Sequence, residues 1–145
     1  MAKANVFLLS IFVIASLSSL SHGLSINGLL INTLQVSGVL RCTLNSNTNA
    51  PVISGRTVFL RCAGSSTNLG QAITDPAGVF VVVAKIADTA LFDPASCRVV
   101  VVLPVATCSV FPPDGLVGAT VTLVSVLQTN LGNIARFTTG PFLVL

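Results

Sequence analysis

The side chains that could carry out catalysis are scarce in this chain. His22 is the only histidine, and glutamate, tryptophan and tyrosine do not occur. Without a histidine in the body of the chain, neither a Ser-His-Asp nor a Cys-His arrangement can form. A glycosidase pair would need two of the four aspartates, but Asp75, Asp93 and Asp114 stand beside proline or glycine in turn sequences. Lys85 is expected to be a solvated charge at a strand end. We therefore expect no enzyme, no catalytic residue and no cofactor.

Four cysteines are the other reactive groups: Cys42, Cys62, Cys97 and Cys108. An even number of cysteines in a secreted chain predicts two disulfides, and four cysteines allow three connectivities. No two of these cysteines have the Cys-x-x-Cys spacing, and the body of the chain has no histidine. We therefore expect no metal site.

The first 23 residues predict a secretion signal. Lys3 supplies the positive charge, residues 6–17 form an apolar stretch, and Ser21-His22-Gly23 provides small residues before a cleavage site. The apolar stretch is shorter than the roughly 20 residues that span a bilayer, so a membrane anchor is the lesser alternative. We expect cleavage after Gly23, which gives a signal peptide at 1–23 and a single β domain at 24–145.

The composition is poor in charge and rich in apolar residues. Cleavage would remove Lys3, which leaves six basic residues against four acidic ones, a net charge of +2. This small charge does not predict a nucleic acid partner. Only 8% of the whole chain is charged and 52% is hydrophobic, whereas ordinary domains carry roughly 25% charged residues. We therefore expect self-association or contact with apolar surfaces.

Three arginines adjoin cysteines in the sequence. Arg41, Arg61 and Arg98 each precede or follow a cysteine and, in an extended strand, would point to the opposite face. Together they could form a cationic patch for an acidic polysaccharide or a microbial membrane. The simpler interpretation is that they keep the surface in solution. The absence of tryptophan and tyrosine, which stack on sugars, weakens the polysaccharide interpretation.

The elements that must position these residues are predicted to be short strands. Asp75-Pro76-Ala77-Gly78 is typical of a type I turn, with Asp at position i, Pro at i+1 and Gly at i+3. β-forming runs flank the turn, so we predict a hairpin with arms at 69–74 and 79–85. Other strands are predicted at 34–42, 56–62, 97–103, 119–128, 134–138 and 142–145, with 24–32 as a lead-in.

About seven short strands without a helix predict an all-β domain. An antiparallel β-sandwich is the main expectation, and a small closed β-barrel is the alternative. In three strands the cysteine shares a face with apolar residues, which suits disulfides that staple a core. The strand at 97–103 is apolar on both faces, so we predict that it is central.

Three segments resemble a known family of secreted plant proteins. They are a glycine-containing strand that ends in Cys42, a strand that ends in Cys62, and the Thr-Asp-x-x-Gly-x-Phe sequence at 74–80. These features are similar to the olive-pollen-allergen-like, or extensin-like, family. Within that family the phylloplanins are the best match, because of the segments 99–104 and 106–108 and the apolar terminus that begins at 140.

The resemblance implies a function that the residues alone do not show. Phylloplanins are proteins of plant glandular hairs that are deposited on the leaf surface, where they act against fungi and oomycetes. The resemblance thus implies a secreted, non-enzymatic defence protein that inhibits spore germination, with the spore surface or the apolar cuticle as its partner. One alternative is a structural cell-wall protein that binds wall polymers, and another is a carrier of a small ligand.

The resemblance also implies a disulfide pairing. The pollen members carry additional cysteines, and this chain has Asn45 where they have the second cysteine of a Cys-x-x-Cys segment. By the family's pattern Cys42 would pair with Cys108, which leaves Cys62 to pair with Cys97.

Overall fold

The regular structure of the described residues consists of β-strands. The computed structural model describes residues 25–26, 28–63, 68–85 and 92–145, and the predicted signal peptide at 1–23 lies outside these ranges. The strands are β1 (Ser25–Ile26), β2 (Leu29–Val39), β3 (Thr57–Cys62), β4 (Gly70–Ile73), β5 (Val79–Lys85), β6 (Cys97–Val102), β7 (Leu116–Thr129), β8 (Gly132–Thr139) and β9 (Leu143–Val144). Within these ranges there is no helix long and apolar enough to cross a bilayer.

The strands form one continuous sheet in the order β1-β2-β8-β7-β6-β3-β4, with β5 paired to β2 and β9 paired to β7. The long strand β7 links the two halves of the sheet, because residues 116–120 pair with β6 and residues 121–129 pair with β8. The sheet curls like a half-barrel and brings β4 against β5, where Gly70 lies beside the backbone of Val83. The all-β class is confirmed, in a form nearer to the predicted alternative than to two separate sheets.

Three details of the strand prediction need correction. Strand β2 begins at Leu29, inside the segment predicted as a lead-in. The described residues form nine strands rather than seven or eight. Strands β2 and β8 run parallel, whereas all pairs were expected to be antiparallel. Parallel neighbours are far apart in sequence, so local patterns do not reveal them.

The predicted turn at 75–78 is present, but its two arms do not pair as a hairpin. The amide of Gly78 donates to the carbonyl of Asp75 at 2.8 Å, and the Asp75 side chain accepts from the amides of Ala77 and Val79. Gly78 has a φ of 76°, and an added Cβ would lie 2.8 Å from the carbonyl oxygen of Leu40, so only glycine fits here. Strand β4 then pairs with β3, and β5 pairs with β2.

The core lies on the concave face of the curled sheet. Strand β5 shows the rule most clearly, because Phe80, Val82 and Ala84 are buried while the alternate residues Val79, Val81, Val83 and Lys85 are exposed. The same alternation places Leu34, Val36, Val58, Leu60, Val99, Val101, Val117, Ala119, Ala135 and Phe137 inside. These side chains fill the interior, which gives no support to the small-ligand carrier.

Strand β6 lies between β3 and β7, as expected for a strand that is apolar on both faces. On its outer face Val100 is only 3% exposed. The side chain of Leu145 covers this position by lying over Gly118, the partner of Val100 on β7. The C-terminal residues therefore cover a small part of the outer face of the sheet.

Two disulfides tie opposite ends of the sheet. Cys62 and Cys97 are register partners on β3 and β6 and are bonded to each other. Cys42, just after β2, is bonded to Cys108 in the loop that precedes β7, at a sequence separation of 66. Each bond restricts the unfolded chain and contributes about 2–4 kcal/mol of stability.

We expect Phe137→Ala to lower the free energy of unfolding by about 3–5 kcal/mol. Phe137 is 1% exposed and packs edge-on against Phe92, with ring centroids 4.9 Å apart. Leu131→Ala is the control, because Leu131 is 97% exposed and its loss should change stability by no more than about 0.5 kcal/mol. Urea unfolding followed by circular dichroism measures both variants. Equal losses in the two variants would contradict the assigned core.

We expect peptide mapping of the secreted protein under non-reducing conditions to recover the Cys42–Cys108 and Cys62–Cys97 linkages. The same digest after reduction is the control that assigns each linked pair. Free thiols, or a Cys42–Cys62 linkage, would contradict the pairing.

Candidate functional site

The aspartates support turns rather than a reaction centre. Asp75 closes the β4–β5 turn, and the Asp93 carboxylate accepts from the amide of Ala95 at 3.0 Å. Asp114 is exposed in the turn before β7, and Asp88 lies outside the described residues. No group of three His, Cys, Asp or Glu residues that could hold a metal ion occurs in the part of the chain that the structure describes.

Two of the three arginines proposed as a patch lie side by side. Arg61 on β3 and Arg98 on β6 are register partners, and their neighbours Cys62 and Cys97 point into the core. Both arginine side chains therefore lie on the outer face. Like charges directly opposite each other in a ladder repel, so the fold keeps this positive pair in place at a cost in stability.

Arg61 is held in a defined position within this pair. Its Nε donates to Oδ1 of Asn68 at 2.6 Å, and its guanidinium lies 5.4 Å from the centroid of the Phe59 ring. A cation at this distance from an aromatic face is attracted to it. Arg98, in contrast, is exposed and lies opposite Thr120 of β7 on its other side. The pair thus combines one braced guanidinium with one that extends into solvent.

Arg41 does not belong to the same patch. It follows the end of β2 that lies beside Val79, whereas Arg61 lies at the end of β3 beside Gly70, away from the β4–β5 turn. Its Nη1 donates to the carbonyl of Ala50 at 2.9 Å. The expectation of one patch of three arginines therefore needs correction. Local sequence gives the face on which each residue lies, but it does not give its position along the strand direction relative to residues on other strands.

Other basic residues were not predicted as site residues. Arg136 on β8 and Lys85 on β5 are exposed on the outer face of the other half of the sheet, where Arg136 lies opposite Gln35 of β2. Arg56 has a structural role, because its Nη2 donates to the carbonyls of Val102 and Pro104 at 3.0 and 2.8 Å. Their spacing in the sequence carries no signal that distinguishes these roles.

A second candidate surface is apolar. The outward residues Val79, Val81 and Val83 of β5 and Ile73 of the adjacent β4 form what we call the valine face. Val81 is 42%, Val83 48% and Ile73 67% exposed. Burying such a half-exposed valine against an apolar phase would contribute roughly 1 kcal/mol. The valine face can therefore adsorb to apolar material while the core stays intact.

A family model described as phylloplanin antifungal protein matches residues 30–145, which includes β3 to β9 and all of β2 except Leu29. Searches of the curated proteins and of the solved structures return no match.

We expect Arg98→Glu to raise the free energy of unfolding by about 0.2–1 kcal/mol, because an opposite-charge pair replaces a like-charge pair across the ladder. Arg98→Gln removes the repulsion without adding attraction and should give an intermediate value. Both differences should shrink as NaCl screens the charges. Chemical unfolding at low and high salt measures them. A Glu variant less stable than the unchanged protein would show that the two side chains do not face each other.

Proposed function

We propose a function from one premise, which is that the chain belongs to the phylloplanin antifungal protein family. In our proposal the protein is secreted onto the plant surface and inhibits the germination of fungal and oomycete spores there. It acts without catalysis, through its outer surface, and its partners are the apolar cuticle and the spore surface. The single observation that carries this proposal is the valine face, an exposed apolar surface on a fully packed, disulfide-bonded sheet.

The apolar surface supports a location in a waxy layer. Outward valines are half exposed in β5, and the inward residues of the same strand are already buried, so adsorption requires no unfolding. A polar or charged outer face would remain in water instead. The low content of charged residues, 8% of the chain, favours the same location and also favours self-association.

The two disulfides support activity outside the cell. Disulfides persist in oxidising surroundings, and a small domain exposed on a surface needs such bonds to resist unfolding. The bonds Cys42–Cys108 and Cys62–Cys97 hold both ends of the sheet. They are consistent with secretion to the leaf surface or the cell wall.

The cationic pair supports contact with a microbial surface. Arg61 and Arg98 lie on the outer face of β3 and β6, and β4 lies between β3 and the β5 strand of the valine face. A positive site of this kind attracts anionic groups, which microbial envelopes carry. The protein could thus adsorb to wax through one surface and meet a spore through another.

The double variant Val81→Thr, Val83→Thr tests the proposal. Threonine has nearly the shape of valine and suits strands, so the fold should persist while adsorption to wax-coated particles falls at least about tenfold. Inhibition of oomycete spore germination on a waxed surface should fall with it. The matched control is Val110→Thr, Val144→Thr, because these valines are similarly exposed, at 50% and 52%, and lie elsewhere on the molecule.

Two results would count against the proposal. If the unchanged protein at micromolar concentration leaves germination unaffected, the structural cell-wall alternative takes its place. If both double variants lose adsorption equally, the apolar surface of the whole protein, and not the valine face, accounts for the binding.

A further inference from the structure

A cleft with a volume of about 480 Å³ lies beside Arg41. One wall is the loop after β2, which contributes Thr43, Asn47 and Thr48. The other wall is the end of β8, which contributes Thr138 and Thr139. The cleft thus combines one guanidinium with hydroxyl and amide groups, and no carboxylate lies among its lining residues.

The loop wall is held in a fixed shape. Arg41 braces it through the bond from Nη1 to the carbonyl of Ala50, and this bond uses one of the five N–H donors of the guanidinium. The disulfide of Cys42 fixes the start of the loop. Within the loop the amide of Asn49 donates to Oδ1 of Asn47 at 3.0 Å. The remaining donors of Arg41 are therefore presented by a preorganised loop.

The same loop contains a conformation that L-residues rarely adopt. Ser46 has a φ of 64°, is exposed, and lines the cleft. It is the non-glycine residue with positive φ in the part of the chain described. Such backbone strain costs free energy and is found where the surroundings impose it, often at binding sites.

The floor of the cleft is close-packed and partly apolar. Gly38 lies at its base, where an added Cβ would collide with Oγ1 of Thr139 and lie 2.8 Å from the Phe80 ring. Pro141 and the buried Phe142 follow along the floor. A ligand in the cleft would therefore meet backbone and apolar carbon below it and hydrogen-bonding groups on both sides.

We propose that this cleft binds a hexuronic acid unit of an acidic polysaccharide. The carboxylate of the sugar accepts hydrogen bonds from Arg41, which matches carboxylates in a bidentate manner. The ring hydroxyls bond to the threonine and asparagine side chains of the two walls, and the C–H face of the ring rests on Pro141. The single cation matches the single charge of a uronate better than it matches a phosphate dianion.

This site uses none of the residues of the cationic pair or of the valine face, although its lining residue Val39 lies opposite Val79 of the valine face. The cleft lies at the end of the sheet that carries the β4–β5 turn, whereas Arg61 and Arg98 lie at the other end of β3. A molecule with both features could adsorb to wax by the valine face and bind an acidic polymer by the cleft. The cleft can fail its test while the antifungal proposal stands, because the two depend on different residues.

Calorimetric titration with a galacturonic acid oligomer tests the proposal on the full secreted protein. We expect saturable binding that weakens with salt, and little binding of a neutral galactose oligomer of equal length. Arg41→Gln should weaken binding by about tenfold or more, since charge-assisted bonds are lost. Arg98→Gln is the control, because it removes the same charge from an exposed site at the other end of the sheet, and should change binding less than about twofold.

A second measurement distinguishes loss of binding from unfolding of the Arg41 variant. In the unchanged protein, amide resonances of 43–48 and 138–139 should shift on addition of the oligomer, and those of 97–100 should not. Thr138→Val, an outward substitution on β8, should weaken binding several-fold without unfolding. Equal binding of the neutral oligomer, inorganic phosphate binding as tightly as the uronate, or equal loss in the Arg41 and Arg98 variants would each overturn the proposal.

Discussion

Burial of one face of a single curled sheet is the constraint on which the structure depends. Along β5 each inward residue is buried and each outward residue is exposed, and neighbouring strands repeat the pattern in register. Side chains such as Leu34 and Val36 have no solvent exposure, so a shift of any strand by one residue would expose the core. This requirement fixes the register, and the register in turn places the surface residues. The disulfides add stability to a strand register that the packing of the core already specifies.

The same alternation of inward and outward residues determines which side chains lie on the outer surface. Strand β5 is apolar on both faces, with Phe80, Val82 and Ala84 inward and Val79, Val81 and Val83 outward, yet only the inward face is buried. The outward valines of β5 remain 37–48% exposed, whereas Val100 on β6 is only 3% exposed because Leu145 lies over it. The Arg61–Arg98 pair is set in the same way, because the register of β3 against β6 brings two like charges together.

Local sequence predicted much of this and failed where distant segments meet. The strand at 79–85 and the turn chemistry of Asp75 and Gly78 depend on near neighbours, and both appear as expected. The arms of that turn separate because β4 pairs with β3 and β5 pairs with β2, which no local pattern reports. The face of each arginine followed from its neighbouring cysteine, but the separation of Arg41 from Arg61 follows from strand register alone. The cleft beside Arg41 joins residues about 100 positions apart, so spacing in the sequence could not have indicated it.

In our proposal this family member acts through the outside of an intact fold, with the valine face as its contact with apolar material. Photochemical footprinting of the protein in solution and adsorbed on wax, read out by mass spectrometry, measures this contact residue by residue. We predict that labelling of Ile73, Val79, Val81 and Val83 falls on adsorption while the buried Leu34, Val58 and Val99 stay unlabelled in both states. Protection spread evenly over the surface, or new labelling of those core residues, would contradict the account.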